Sequence, residues 1–283
     1  LGLGVGANTA IFTLVDAVLL EMLPVKSPDE LYVFGERQGA GTIQSDEVED
    51  RDTVFFSYPN YRDLRDHDEA FSGLAAVCSF PVSAYASPEK GSPQGGIEEV
   101  QADLVTGNFF SVLGVPAAVG RTFTSEQERV PGGHPVIVIS YAYWSKKFGR
   151  NPSSIGSTLR LNGVEYTILG VTPPDFTGTT VGASTDVWVP MMMQAELMRA
   201  PSRLDEANIM WLRILGRLKT GVSQTQAAAR STALFQQVLR EEAGSDISPD
   251  VETALSQKTI ELAPFGKGFS FLRRRYEQPL LML

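Results

Sequence analysis

Length, composition and charge already exclude several classes of protein. The chain has 283 residues, with 24 Lys and Arg against 33 Asp and Glu, so its formal net charge is −9. An acidic chain whose densest basic run is only Arg273 to Arg275 is repelled by phosphate backbones, which excludes nucleic acid as the main partner. Its 43% hydrophobic content is that of a folded protein, and its length suggests roughly two domains. The single Cys78 excludes an internal disulfide, and with only two His it also excludes a four-ligand zinc site of Cys and His.

The N-terminal segment is apolar as far as Pro24. Its apolar residues recur at helical spacing, and Asp16 and Glu21 are its only charges. We interpret residues 1–24 as the end of a membrane helix or as its amphipathic extension along the membrane surface. The alternative is an ordinary buried N-terminal helix. A secretory signal peptide is disfavoured because no charged leading region precedes the apolar stretch.

The chain up to residue 115 alternates between strand and helix patterns. In order, these patterns predict a strand at 31–36, an acidic loop at 39–52, a helix from about 58 to 68, strands at 73–86 and 97–105, and a helical turn at 107–115. Ser57 before Pro59 supplies the start of the first helix. The Ser, Pro and Gly residues between the two later strands predict a hairpin loop. The acidic loop lacks the ligand spacing and central Gly of an EF-hand, so we interpret it as solvated rather than calcium-binding.

The remainder of the chain repeats this alternation. The predicted elements are a strand at 136–139, a short helix carrying Tyr143, Trp144 and Phe148, a hairpin about Asn162-Gly163, a loop at 172–185, strands at 186–190 and 211–219, a helix at 223–241 and a strand at 257–265. Ser223 and Gln226 form a capping box at the start of the long helix, and Gly244 ends it.

The order of the elements predicts an α+β fold. It is β-α-β-β, an inserted β-α-β-β unit and then β-α-β, with the strands outside the insert in two halves, at 31–86 and 211–265. Such a sheet is complete only when both parts of the chain return to it. We therefore expect the two ends of the chain to lie close together on one side of the fold.

Motifs for nucleotide binding and catalysis are weak or missing. Residues Gly2 to Ala7 fit the dinucleotide pattern G-x-G-x-x-[GA] but lack the preceding strand, and the P-loop pattern does not occur. There is no G-x-S-x-G elbow. His67 in a charged run and His134 in a PGGHP turn fit surface and turn roles better than those of catalytic bases. Cys78, in an apolar strand, fits a buried small hydrophobe.

Clusters of carboxylates and methionines are also explained without a catalytic or metal-binding role. Neighbours such as Glu98 and Glu99 point to opposite faces of a strand. The run Met191 to Met193 could form a soft metal strip, but we favour packing against apolar neighbours. We therefore assign no catalytic, cofactor-binding or metal-binding residues, and we expect no cofactor.

Several segments, in a fixed order, resemble one family of membrane proteins. These segments are GANTAIFTLVDAVLLEMLPVKSPDELYVF, SYPNYRDLRD with FSGLAA, VTGNFFSVLGVPAAVGRTFT, VIVISYAYWSKKFGRNPSSIGSTLRLNGVEYTILGVTPPDF and LGRLKTGVSQTQAAA. Over nearly the whole chain they resemble the MacB-like periplasmic core domain of FtsX/MacB-type ABC transporter permeases. The likeness is greatest to orphan permeases of acidobacteria that carry two such units.

The resemblance implies both an architecture and a function. It implies a porter-like split β-α-β subdomain at 25–115 and 191–272, an inserted mixed α/β subdomain at 116–190, and the lead into a second membrane helix at 273–283. It also implies a non-enzymatic permease of the inner membrane, with this domain on the periplasmic side. Its expected role is to transmit ATP-driven motion during export and to dock periplasmic partners. The implied partners are the membrane, a second permease copy, a separate cytoplasmic ATPase subunit and a periplasmic adaptor. The alternatives are an exported solute-binding domain, with its ligand in a cleft between the subdomains, and an exported hydrolase.

Overall fold

The computed structural model describes residues 21–36, 42–43, 55–87, 96–244 and 247–270. Four features of the sequence lie outside these residues: the apolar segment before Glu21, the acidic run at 45–52, the basic run Arg273 to Arg275, and the apolar C-terminus. The dinucleotide-like motif at Gly2 to Ala7 also lies outside them. Among the helices that fall within these ranges, none is both long enough and apolar enough to cross a membrane.

Strands and helices alternate along the described residues. The strands are β1 (Leu31–Glu36), β2 (Thr42–Ile43), β3 (Phe71–Cys78), β4 (Val82–Ser87), β5 (Glu98–Val105), β6 (Val119–Gly120), β7 (Val136–Ile139), β8 (Thr158–Leu161), β9 (Val164–Val171), β10 (Val187–Pro190), β11 (Ile209–Met210), β12 (Leu212–Leu218) and β13 (Ile260–Pro264). The helices are α1 (Tyr58–His67), α2 (Phe109–Leu113), α3 (Tyr141–Phe148), α4 (Gln194–Met198), α5 (Gln224–Ala243) and α6 (Pro249–Ser256). Short 3-10 helices occupy Pro28–Glu30, Ser125–Glu128, Pro152–Ser154 and Met191–Met193. This mixture confirms the predicted α+β class.

Eleven of the described strands belong to one sheet with two parts. Strands β4, β5, β10, β7, β9 and β8 pair in a closed circuit, which we call the strand ring, because β10 pairs with both β5 and β7. Strands β3, β12, β1 and β13 extend from β5 in that order, and we call them the open arm. Strand β6 pairs with β9. The ring uses strands from the predicted insert, β7 to β10, together with β4 and β5 from outside it, so the subdomain boundaries at 116 and 190 stay a prediction.

Each face of the sheet carries its own core. On the first face, helices α1 and α5 pack against the open arm, and apolar side chains of the ring strands continue the same cluster; its large members include Phe56, Tyr61, Leu64, Tyr166, Ile168, Trp211 and Phe235. On the second face, helix α2 and the two ends of the described chain pack around an aromatic group that includes Phe110, Phe176, Trp188, Phe265 and Phe269. The second face therefore joins the chain ends to the sheet.

Local signals in the sequence placed several helix and turn boundaries correctly. The Ser57 side chain accepts a hydrogen bond from the Asn60 amide at 3.2 Å and caps α1. The capping box of Ser223 and Gln226 opens α5 as predicted. Asn162 and Gly163 both have positive φ, which is the backbone of a type I′ hairpin turn between β8 and β9.

The prediction of one continuous strand at 73–86 is wrong. Strand β3 ends at Cys78 and β4 begins at Val82, although both pair with β5. Between the pairs Val77–Val105 and Val82–Ala102 the β3–β4 side has four intervening residues and β5 has two, so two residues bulge out of the sheet. Pro81 lies in this bulge, where its missing N–H disturbs no ladder hydrogen bond.

Two helices and the methionine run complete the comparison with the predicted elements. Helices α4 and α6 were not predicted. Ser248 and Pro249 give α6 a cap and a first-turn proline, but none of its residues is buried, so it has no apolar stripe to detect. The run Met191 to Met193 is a buried 3-10 helix, which confirms packing rather than an exposed strip. Trp144 is buried, whereas Phe148 is only partly buried.

Candidate functional site

The residues considered above for catalysis, His67, His134 and Cys78, lie on separate elements of the fold. His67 is exposed at the end of α1, where its Nδ1 lies 2.9 Å from the Asp63 carbonyl oxygen. His134 lies in the turn before β7. Cys78 is buried at the end of β3, and burial raises its pKa to about 12, so the thiol is protonated at neutral pH. Across the described ranges, no three His, Cys, Asp or Glu side chains are grouped to hold a metal ion.

The two ends of the described chain meet beside the open arm. The Leu23 amide donates to the Gly266 carbonyl at 2.7 Å, and the Phe265 amide donates to the Leu31 carbonyl at 2.8 Å. Strands β1 and β13 continue this pairing in antiparallel register. A Cβ on Gly266 would lie 2.8 Å from the Pro28 carbonyl oxygen, so this approach requires glycine. We call residues 21–31 and 264–270 the terminal junction; the ends of the described chain lie together there, in agreement with the expectation for the chain ends.

Arg217 of β12 holds the first half of the terminal junction. Its Nη2 donates to the Lys26 carbonyl at 2.5 Å, and its Nη1 donates to the Ser27 carbonyl at 3.0 Å. The same Nη1 lies 3.0 Å from Oε2 of Glu30. Only 13% of the Arg217 side chain is exposed. A planar guanidinium presents several donors in fixed directions, and a lysine ammonium cannot reproduce this fork.

The same guanidinium also binds the end of helix α2. Its Nε donates to the Val112 carbonyl at 2.9 Å, and Nη2 donates to the Leu113 carbonyl at 3.3 Å. These carbonyls lie in the last turn of a helix, where no intrahelical donor is available. Gly114, with φ of 69°, ends the helix in the left-handed conformation, and a Cβ there would lie 2.5 Å from the Lys26 side chain. Arg217 of β12 therefore binds both helix α2 and the terminal junction.

A loop from the strand ring holds the second half of the terminal junction. The Phe269 amide donates to the Thr179 carbonyl at 2.8 Å, and the Val181 amide donates to the Phe269 carbonyl at 2.7 Å. The same loop returns to the ring, where the Asp186 amide donates to the Gln101 carbonyl of β5 at 2.8 Å. The junction is thus bonded to both parts of the sheet.

Motif analysis did not identify the two arginines of β12, although the sequence contains a signal for them. The segment LRILGRL of β12 is buried almost throughout, yet it contains Arg213 and Arg217. Residues four apart on a strand share a face, so both arginines lie on the second face with Leu215 between them. Charged residues are rarely buried without a partner, and two on one face of an apolar strand indicate a specific role.

The comparisons with known proteins agree with this architecture. The sequence matches the family MacB-like periplasmic core domain over residues 1–234. The structure is similar to the periplasmic region of MacB from Actinobacillus actinomycetemcomitans, with a TM-score of 0.55, 12% identity, and coverage of 95% of this chain and 96% of that one. A domain described as part of a permease from Porphyromonas gingivalis gives a TM-score of 0.53 at 15% identity, with coverage of 86% and 94%.

A third solved structure extends the likeness to another group of bacteria. The extracellular domain of the ABC-type transporter YknZ from Gram-positive bacteria gives a TM-score of 0.51 at 12% identity, covering 82% of this chain and 99% of that one. No curated protein matches the chain in sequence. At these identities the structural likeness shows the fold, and the family match covers most of the chain. The chain therefore belongs to the MacB-like periplasmic core domain family, the periplasmic domain of MacB/FtsX-like ABC transporter permeases.

Proposed function

We propose that this domain relays ATP-driven motion of the permease's membrane helices into the periplasm through the terminal junction. In this proposal the segments before Glu21 and after Ser270 lead into two membrane helices. The observation that carries it is that both ends of the described chain meet beside the open arm, where Arg217 holds the first end and β13 pairs with β1. A helix that moves at the membrane would then carry the sheet with it.

Packing on the second face connects the terminal junction to the strand ring through helix α2. Arg217 binds α2, and Phe110 of that helix contacts the Trp188 ring at a centroid distance of 5.7 Å. Trp188 lies in β10 and is fully buried. Because protein interiors are close-packed, a displacement of α2 is transmitted to β10 rather than absorbed. The ring then moves with the junction as one body.

The proposed partners follow from the family and from exposed apolar groups. We propose a permease dimer that works with a cytoplasmic ATPase subunit and a periplasmic adaptor. Ile97 and Tyr85 have the highest exposed fractions, 73% and 55%, among the large apolar side chains of the described residues. They are therefore the first positions to substitute with Glu when adaptor binding to the full permease is measured.

The relay is tested in the full permease, assembled with its ATPase subunit in lipid nanodiscs. A spin label on Val251→Cys, in the exposed helix α6, reports the distance between two copies by double electron-electron resonance. Cys78 does not compete for the label, since it is buried and its pKa is raised to about 12. We expect the distance distribution to change between the ATP-bound and nucleotide-free states. Arg217→Ala should reduce that change, because the junction then moves without the sheet.

Glu30→Gln is the matched control for this experiment. It removes the ion pair of Arg217 but keeps the donors to the Lys26 and Ser27 carbonyls. The control should preserve the nucleotide-dependent change in distance. A wild-type distribution that is identical in both nucleotide states would contradict the relay.

A further inference from the structure

A pocket on the second face of the sheet adjoins the terminal junction, and Phe269 of the junction lines it. Its volume is about 480 Å³, which lies within the range of small-molecule sites. Its floor is the sheet around Val77, one wall is the loop at 179–185, and Phe80 and Phe269 supply aromatic surface. Two ionisable side chains, Arg213 and Asp103, also line it.

The bulge between β3 and β4 opens this pocket. The two extra residues on the β3–β4 side displace Ser79 to Pro81 from the ladder with β5. Phe80 projects from the bulge and is exposed, so an aromatic ring stands at the pocket without a full apolar cover. Bulges are often found beside binding sites because they redirect side chains in this way.

Arg213 supplies the positive charge of the pocket. The residue is only 6% exposed, and its guanidinium carbon lies 4.3 Å from the Phe269 ring centroid and 5.6 Å from that of Phe55. Burial lowers its pKa to about 10, so it is still protonated at neutral pH. A guanidinium packed against aromatic rings is oriented, and its fork matches the two oxygens of a carboxylate.

Asp103 supplies an acceptor on the same face. The Thr185 hydroxyl donates to its Oδ2 at 2.7 Å, which fixes the carboxyl group toward the loop. Burial raises its pKa, and a cation bound beside it would stabilise the ionised form. A ligand ammonium is such a cation.

The strand register sets the separation of the two groups. Arg213 pairs with Val77, and Val77 pairs with Val105, two residues from Asp103. Two strand spacings and two residues place the Cα atoms of Arg213 and Asp103 about 12 Å apart. An extended peptide advances about 3.3–3.6 Å per residue, so two or three residues fit between them.

We propose that this pocket binds a short zwitterionic peptide of two or three residues, with its carboxylate on Arg213 and its ammonium on Asp103. The apolar surface of Val77, Phe80 and Phe269 receives its side chains. The proposal does not rest on the relay of motion, because it concerns binding alone.

The test is calorimetric titration of the full permease in nanodiscs with three probes. Free dileucine has both charged ends, N-acetyl-dileucine lacks the ammonium, and dileucine amide lacks the carboxylate. We expect each blocked probe to bind at least tenfold more weakly than free dileucine. These comparisons need no substitution, so they stay decisive even where a variant fails to fold.

Two variants assign each end of the ligand to its side chain. In Arg213→Gln, free dileucine and its amide should bind equally, because the carboxylate has lost its partner. In Asp103→Asn, which keeps an acceptor for Thr185, free dileucine and its N-acetyl form should bind equally. Lys219→Gln and Glu99→Gln, exposed positions on the same strands or their ends, should leave all three affinities unchanged.

Three results would overturn the proposal. One is that free dileucine does not bind; a second is that all three probes bind with the same affinity. The third is that both variants keep the wild-type preference for the free peptide, since the peptide would then be bound elsewhere. None of these outcomes depends on ATP, so failure of this site is distinguishable from failure of the relay.

Discussion

The strand ring and the open arm are parts of one sheet, but they differ in how their strands are held. The ring closes on itself through the β10–β5 pairing, and the second face beside it is filled by aromatic rings such as Trp188 and Phe176. The arm has open strands, and both ends of the described chain join it through backbone hydrogen bonds and Arg217. Closure of the ring favours rigidity, whereas the hydrogen bonds on the arm fix the direction in which the ends of the described chain leave the sheet. Substitutions in the aromatic core should therefore affect stability most, and those in the junction should affect coupling.

The largest expected effect is at the contact between the two parts. Phe110 of α2 is fully buried and touches Phe123, Phe176 and Trp188. Phe110→Ala should lower the free energy of unfolding by about 3–5 kcal/mol, through lost burial and the cavity left behind. Urea denaturation followed by tryptophan fluorescence measures it. Phe80→Ala is the control, because removal of this exposed ring should cost much less; equal losses would show that burial of Phe110 contributes no more to stability than an exposed ring.

Arg217→Ala should have the next largest effect. It removes donors from four carbonyls, and charged hydrogen bonds contribute roughly 1.5–3 kcal/mol each before water replaces part of them. We expect a net loss of about 2–3 kcal/mol in the free energy of unfolding. Arg217→Lys should lie between this variant and the wild type, because an ammonium keeps the charge but not the fork.

The ion pair of Arg217 supplies the control for that series. Half of the Glu30 side chain is exposed, so Glu30→Gln should change the free energy of unfolding by less than about 1 kcal/mol. Urea denaturation of the three variants under one salt condition separates the contribution of the ion pair from that of the hydrogen bonds to the carbonyl groups. If Glu30→Gln cost as much as Arg217→Ala, the contribution would lie in the ion pair and not in the carbonyl fork.

The sequence predicted those features that depend on neighbouring residues. The caps at Ser57 and Ser223 and the turn at Asn162-Gly163 each involve residues within four positions, so a local pattern identifies them. The pairing of β1 with β13 agrees with the expectation that the sheet is complete only when both parts of the chain return to it, although the pairing itself was not predicted. These signals are sufficient for the α+β class and for the meeting of the chain ends.

The remaining features depend on residues that are distant in the sequence. Ring closure pairs Val187 with Ala102 in parallel, and nothing near either residue specifies that register. The fork of Arg217 binds carbonyls more than 100 positions away, and carbonyls are present in every residue. The pocket needs the bulge at Phe80 and the loop at 179–185 together. Only folding brings these groups into contact.

A smaller effect is expected at the start of helix α5, which covers the first face of the arm. The Ser223 hydroxyl accepts a hydrogen bond from the Gln226 backbone amide at 3.3 Å. The Ser223 backbone amide in turn donates to Oε1 of Gln226. Ser223→Ala should lower the free energy of unfolding by about 1 kcal/mol. Ser248 caps helix α6, which has no buried residue; Ser248→Ala should therefore cost less, because fraying there exposes no core. An unchanged denaturation midpoint in Ser223→Ala would mean that the cap contributes nothing to α5.

The smallest effect is a dependence on pH at Asp103, in the strand that ring and arm share. Burial raises the pKa of Asp103 above its ordinary value, so the folded state holds this proton more tightly than the unfolded chain. Its contribution to stability is complete below about pH 4, where the unfolded group is also protonated, and is lost as pH rises through the folded pKa. Asp103→Asn keeps an acceptor for Thr185 but cannot ionise. The free energy of unfolding of the variant, minus that of the wild type, should therefore increase from about pH 4 upward and level off above the folded pKa. Urea denaturation at a series of pH values measures this difference; a difference independent of pH would show that folding does not raise the pKa of Asp103.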